Sequence, residues 1–148
     1  MRVLIADNQP STRSALRLVL ELEPECHVIA ECDGRRALVD AAREHQPDVV
    51  LLNWELSPTR CAWDLDDLRI RSLGMRIIAL SVRPEARSEA TAAGADAFVH
   101  KGDPPEVLLA TVRRYALPGG STAIKSTMVP SLVTRPPQRS ASDAARSL

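Results

Sequence analysis

The chain lacks net charge: 19 basic side chains face 19 acidic ones over 148 residues. Bulk electrostatics therefore give no case for a nucleic-acid partner. It also lacks any apolar run near the roughly 20 residues that span a bilayer. Met1-Arg2-Val3-Leu4-Ile5-Ala6 meets Asp7 too soon to form the apolar centre of a signal peptide. The expectation is a cytoplasmic protein with no membrane contact. Cysteine is sparse and odd in number: Cys26, Cys32 and Cys61 fall at no metal-ligand spacing and read as reduced structural thiols. The neighbouring pair Cys26-His27 has no second pair to complete a metal site. Aromatic residues make up only 3% of the chain, so Trp54 and Trp63 stand out.

What is present is an alternation of strand-like and helix-like segments. Arg2–Ala6, His27–Cys32, Asp48–Asn53, Arg76–Ser81 and Ala97–His100 read as strands. The run Asp48-Val49-Val50-Leu51-Leu52-Asn53 is nearly continuous in apolar residues, as in a strand covered on both faces. Pro10–Leu22, Gly34–Glu44, residues 62–73, Pro84–Ala93 and Pro104–Tyr115 read as helices. Pro10 suits a first helical turn, and Gly94 stands where a left-handed cap is wanted. Five strand–helix units with short connections imply a parallel sheet with right-handed crossovers. The expected fold is α/β, a flavodoxin-like (βα)5 arrangement with strand order 2-1-3-4-5. It accounts for residues 1–115. Residues 116–148 hold six serines, three threonines and Pro118, Pro130, Pro136 and Pro137, with no lasting apolar period. They read as a tail, disordered by default or loosely docked. Charge is split between the two parts, with 15 basic against 18 acidic groups in residues 1–115 and four against one in the tail.

Each strand ends in a polar residue on the same edge of such a sheet. Asp7 and Asn8 follow the first strand, Asn53 ends the third, Ser81 ends the fourth and Lys101 follows the fifth. Strand ends are commonly polar because they meet solvent, so each residue alone says little. The five together form a candidate site. No nucleophile–base pair, Gly-rich phosphate loop or metal cluster is evident, and His45 and His100 lack evident partners. The expectation is not an enzyme.

Four segments resemble the receiver domain of bacterial two-component response regulators. They are Val3-Leu4-Ile5-Ala6-Asp7-Asn8-Gln9-Pro10, Pro47-Asp48-Val49-Val50-Leu51-Leu52-Asn53, Ile77-Ile78-Ala79-Leu80-Ser81 and Ala93-Gly94-Ala95-Asp96-Ala97-Phe98-Val99-His100-Lys101. The opening segment looks most like receivers that precede LuxR-type helix-turn-helix domains. The resemblance implies a phosphoacceptor at position 53, a metal-binding carboxylate at position 8, a switch hydroxyl at Ser81, a switch aromatic at Phe98 and a lysine at Lys101. Two of these positions depart from the family: Asn8 and Asn53 are amides. A carboxylate can form an aspartyl-phosphate, whereas an amide nitrogen, its lone pair delocalised, is a very poor nucleophile. Magnesium prefers charged oxygen ligands, and Asp7 alone offers one, so magnesium binding is expected to be lost or very weak. The pocket residues Asp7 and Lys101 sum to zero charge, where an ordinary receiver pocket carries a formal −2. Asn53 is expected to hydrogen-bond Lys101 or Ser81.

The loop after Asn53 departs too, and Trp54 or Trp63 is a candidate lid over the pocket. The leading reading is a phosphorylation-independent, receiver-like signalling module in a bacterial two-component-type pathway with transcription as its output. It would act through a protein partner or as a homodimer, through helix 4, strand 5 and helix 5 or through helices 1 and 5. The alternative is a pseudo-receiver whose pocket takes a small-molecule ligand in place of phosphate. Residues 116–148 cannot make a helix-turn-helix, so no direct nucleic acid binding is expected. The chain reads as a stand-alone receiver or a piece of a longer regulator. Arg83, Arg87, Arg113 and Arg114 read as solvated surface, with pairing to Asp96, Asp103 or Glu106 across a dimer as the sharper option.

Overall fold

The structure is a computed structural model that describes residues 1–56, 65–72 and 74–116. Five strands, β1 (Arg2–Ala6), β2 (His27–Cys32), β3 (Val49–Asn53), β4 (Arg76–Ser81) and β5 (Ala97–His100), alternate with five helices. The helices are α1 (Pro10–Leu20), α2 (Arg35–His45), α3 (Leu65–Arg71), α4 (Ala86–Ala92) and α5 (Pro105–Ala116). A 3-10 turn, Trp54–Leu56, follows β3 directly. The strands form one parallel sheet in the order β2-β1-β3-β4-β5, as the sequence implies.

Successive side chains of a strand point to opposite faces, and the core divides accordingly. Val3, Ile5, Val49, Leu51, Ile78 and Leu80 face α1 and α5, meeting Leu20, Leu108 and Val112. Leu4, Ala6, Val50, Leu52, Ile77 and Ala79 face the other way, onto Leu38 and Ala42 of α2, Leu65 and Leu68 of α3, and Ala86 and Ala90 of α4. All five residues of the central strand β3 are buried, which is why its sequence is continuous in apolar residues rather than alternating. Fully burying a leucine contributes about 1.5–3 kcal/mol, and a single methylene-sized group roughly 0.8. Of the five helices, α4 buries the smallest apolar side chains: two alanine methyls, against Leu108, Leu109 and Val112 in α5.

Several helix ends differ from the sequence reading. α1 stops at Leu20 rather than Leu22, whose side chain is exposed. α4 begins at Ala86 rather than Pro84. The chain first turns there, with the amides of Ala86 and Arg87 donating to the carbonyls of Arg83 and Pro84 at 3.1 and 3.2 Å. Gly94 takes the expected left-handed conformation after α4, with φ +96°. Gln46 does the same at the end of α2 (φ 47°), and its amide and side chain donate to the carbonyls of Ala42 and Arg43. The N-terminal part of the third expected helix and the tail from residue 117 lie outside the described residues. Among the described residues, no helix is long and apolar enough to cross a membrane.

Candidate functional site at the carboxyl edge of the sheet

The parallel sheet brings the five polar strand-end residues together. Asp7 is fully buried, and its two carboxylate oxygens are divided between neighbours. Oδ1 accepts from the Gln9 amide at 2.8 Å, and Oδ2 accepts from Lys101 Nζ at 2.8 Å. The Arg13 guanidinium donates to the Asp7 backbone carbonyl at 2.7 Å. Lys101 is fixed from its own backbone as well, its amide donating to the Ser81 carbonyl at 2.8 Å.

Asn53 is buried and does not bond Lys101 or Ser81, contrary to expectation. Its Oδ1 accepts from the Glu55 amide at 3.2 Å, and its Nδ2 donates to Asn8 Oδ1 at 3.2 Å. The reason is charge. Lys101 takes Asp7, the charged acceptor at its reach, because an ammonium–carboxylate hydrogen bond is stronger than one to a neutral amide. The orientation of the Asn53 amide follows from its partners. A backbone N–H can only donate, so Oδ1 must face Glu55, and Nδ2 is left for Asn8.

Ser81 is fully buried and donates to the Glu55 carboxylate, while its Oγ accepts from the Arg83 amide at 3.0 Å. Glu55 also meets Arg83 Nε at 3.4 Å. Arg83 reaches on to Glu89 at 3.3 Å and Glu85 at 3.8 Å. Hydrogen bonding to Glu89 is the first cause that raises the Arg83 pKa above its usual value. Sequence reasoning missed Glu55 and Glu89 and read Arg83 as solvated surface rather than as part of the site. Glu55 and Arg83 each lie two residues past a strand-end site residue, Asn53 and Ser81, and that spacing is the signal that could have found them. The site thus holds two opposite-charge pairs rather than the one that was counted.

Phe98 is buried, with the Arg87 guanidinium carbon 4.8 Å from its ring centroid. Trp54 is buried in the core layer shared with α2, α3 and α4, and its indole N–H donates to Glu89 at 3.2 Å. Trp63, the other candidate lid, lies outside the described residues. His100, which lacked an evident partner in the sequence, sits with Nε2 2.8 Å from the Val82 carbonyl and Nδ1 accepting from the Gly102 amide at 3.0 Å. Asp96 is engaged within the chain. It accepts from Arg69 at 2.7 Å, from Arg76 at 3.2 Å and from the Ile77 amide at 2.8 Å. Arg113 pairs with Glu23.

A parallel sheet in this order, with an aspartate after β1, a hydroxyl ending β4 and a lysine after β5 closing on the aspartate, defines a receiver-type α/β signalling domain. The chain belongs to the response regulator receiver domain family, whose family model matches residues 3–113. Among curated proteins, it is 35% identical over 118 residues to the nitrate/nitrite response regulator protein NarP of Escherichia coli K12, covering 78% of this chain and 54% of that protein. It is 27% identical over 132 residues to NarL of the same strain, covering 88% of this chain and 60% of that protein. The chain therefore spans little more than half the length of these relatives. Among solved structures, the signal receiver domain of a NarL response regulator from Mycobacterium tuberculosis superposes with a TM-score of 0.65. It is 24% identical and covers 78% of this chain and 95% of that one. The response regulator domain of Thermotoga maritima CheB superposes equally well, with a TM-score of 0.65 at 21% identity over 80% of this chain and 98% of that one. These two likenesses concern the fold.

Proposed function

We propose that this receiver domain signals without phosphorylation at Asn53, through contacts with a protein partner or a second copy, in a bacterial regulatory pathway that controls transcription. One observation carries the reading: Asn53 uses both ends of its amide. A carboxylate at position 53 could accept from the Glu55 amide but could not donate to Asn8 Oδ1. As placed, the local hydrogen bonding accommodates the neutral amide without an added group, whereas a carboxylate there would require the exposed Asn8 amide to turn its nitrogen inward.

The oxygen donors fit magnesium poorly. Asp7 is tied to the Lys101 ammonium, Glu55 is turned to Ser81 and Arg83, and the amide oxygens of Asn8 and Asn53 each accept an N–H. Magnesium demands near-octahedral oxygen geometry and gives up water reluctantly. The proposal accordingly assigns no metal and no catalytic step. The described residues carry no helix-turn-helix, so the proposal includes no direct nucleic acid binding. The contact surfaces offered are α4-β5-α5 and α1/α5.

A second reading, ligand sensing, has one observation in its favour. A groove of about 450 Å³ between α1 and α5, with Leu16, Val19, Leu80 and Leu108 among its lining residues, reaches Lys101. Pockets of this size accept drug-sized molecules. A ligand there would sit beside the degenerate pocket rather than in it.

The test is an amide NMR titration with magnesium and then beryllofluoride, on the wild type and on the Asn8→Asp/Asn53→Asp variant. The expected result is a silent wild type and a variant that responds at the ends of β1, β3 and β5. A wild type that responds at those strand ends refutes the proposal.

A further inference from the structure

The loops after β3 and β4 are tied together by one carboxylate. Glu55 accepts from the buried Ser81 hydroxyl and from Arg83 Nε at 3.4 Å. The Arg83 amide in turn donates to Ser81 Oγ at 3.0 Å, so the three residues form a closed set. Arg83 carries the connection outward, with Nη2 3.3 Å from Glu89 Oε2 on α4. That same Glu89 oxygen accepts from the Trp54 indole at 3.2 Å, and Trp54 is the residue before Glu55. The path therefore runs from the end of β3, through the end of β4, onto α4, and back to the start.

Such a path matters most for the element with the least apolar hold. α4 buries only Ala86 and Ala90, whereas every other helix buries at least one leucine. Two methyl groups leave its rotation and slide weakly specified. The polar ties and the Arg87–Phe98 contact supply the remaining constraints.

We infer that Glu55 is a positioning residue: a built-in anion that grips Ser81 and Arg83 and thereby fixes the seat of α4 on the sheet. The charge is part of the role, because the guanidinium is shared among Glu55, Glu85 and Glu89 and Glu55 is its link to the β3 loop, beside the direct Trp54–Glu89 hydrogen bond. The surface that α4 and β5 present to a partner is then set from inside the chain. This regulatory meaning rests on the phosphate-independent reading above; the grip itself rests on the contacts alone.

The test is residue-resolved amide hydrogen exchange on the full chain at neutral pH, with neither metal nor phosphoryl mimic present. The variants are Glu55→Ala and Glu55→Gln, with the exposed Glu44→Gln as control. Glu55→Ala is expected to speed exchange in α4 about tenfold, the scale of a small network of partly exposed ion pairs. Glu55→Gln keeps an acceptor for Ser81 but not the charge for Arg83, so its effect is smaller but still confined to α4. The Trp54 indole N–H resonance moves in both variants, and α1, α5 and the control stay unchanged. Unaltered α4 exchange in both Glu55 variants overturns the inference. So does a uniform acceleration across the whole domain, which would mark Glu55 as merely stabilising. Because the readout needs no beryllofluoride, a wild type that responds to that ion sinks the phosphate-independent reading without touching this result, and the converse holds equally.

Discussion

Replacing Lys101 by methionine strands a buried charge. The Asp7 side chain is 1% exposed and Lys101 is 17% exposed, so the two partners differ in their access to water. Removing one member of a buried ion pair costs about 3–5 kcal/mol, because the other is left uncompensated. Asp7 keeps its hydrogen bond from the Gln9 amide at 2.8 Å, which places Lys101→Met near the bottom of that range, at about 3 kcal/mol. For a domain of this size, that lowers the melting temperature by roughly 12 °C. The reverse substitution, Asp7→Asn, is milder. Asparagine can still accept from Gln9, and the lysine, being partly exposed, can turn its ammonium to water, so the cost is about 1 kcal/mol. The double variant Asp7→Asn/Lys101→Met contains no stranded charge. It is expected to lose about 2 kcal/mol rather than the roughly 4 that simple addition gives, a coupling of about 2 kcal/mol. Urea unfolding of all four proteins at neutral pH, with equal denaturant slopes, measures the cycle. Additivity within about 0.5 kcal/mol, or a Lys101→Met variant more stable than Asp7→Asn, would refute the argument that burial of Asp7 makes this pair asymmetric.

Two further outcomes follow from groups outside the pocket. Burial first, and the negative charge of Asp33 second, push the Cys32 thiol up to about 12, so in the folded protein it is held as an unreactive thiol. A thiol reagent at about pH 8 is expected to modify Cys32 only as fast as the domain opens, with a rate that climbs with urea; labelling at the rate of a free peptide thiol would contradict the described packing. The hydrogen bond from Arg113 holds the Glu23 carboxyl below its ordinary value of 4.5. A carboxyl lowered on folding contributes stability above its unfolded value and loses it as pH falls through the folded one. The gap in melting temperature between wild type and Glu23→Gln should therefore be constant at neutral pH and close on the acid side of 4.5. A gap that widens toward acid would show that the contact is not made by the carboxylate.

Much of the fold is legible because burial writes itself into residue type. β3 is buried at all five positions, and its sequence is a run of valine and leucine closed by Asn53. The alternation in β1 and β4 assigns each residue to one of two core layers, and the structure divides them that way. Helix ends were less legible, because the signals there are local and compete. Gly94 announces its left-handed turn, since glycine lacks the Cβ that opposes it. Gln46 takes a similar conformation with nothing in its type to announce it, held by hydrogen bonds to Ala42 and Arg43 that exist only once the helix is formed.

The convergence of the five strand-end residues was legible, while their pairings and the loop residues that join them were not. A parallel sheet forces Asp7, Asn8, Asn53, Ser81 and Lys101 to one edge, whatever the side chains then do. Which group bonds which depends on distances that alternation cannot supply, and on competition between acceptors. Lys101 passes over the amide of Asn53 for the carboxylate of Asp7, and that choice frees Asn53 to join Asn8 and the Glu55 amide. Glu55 went unread for a related reason. As a residue in an irregular loop it had no period to belong to, and by composition it was one more surface acid. Its importance comes from Ser81, a hydroxyl with no access to water whose donated hydrogen bond goes to Glu55. A buried hydroxyl requires a partner, and a charged one makes a stronger bond than a neutral one. Asn8 and Asn53 bring no charge to the strand ends, and Glu55 brings one negative charge to Ser81 and Arg83 beside them. That charge lies two residues past Asn53, where it meets Arg83 and, through Arg83, Glu89 of α4.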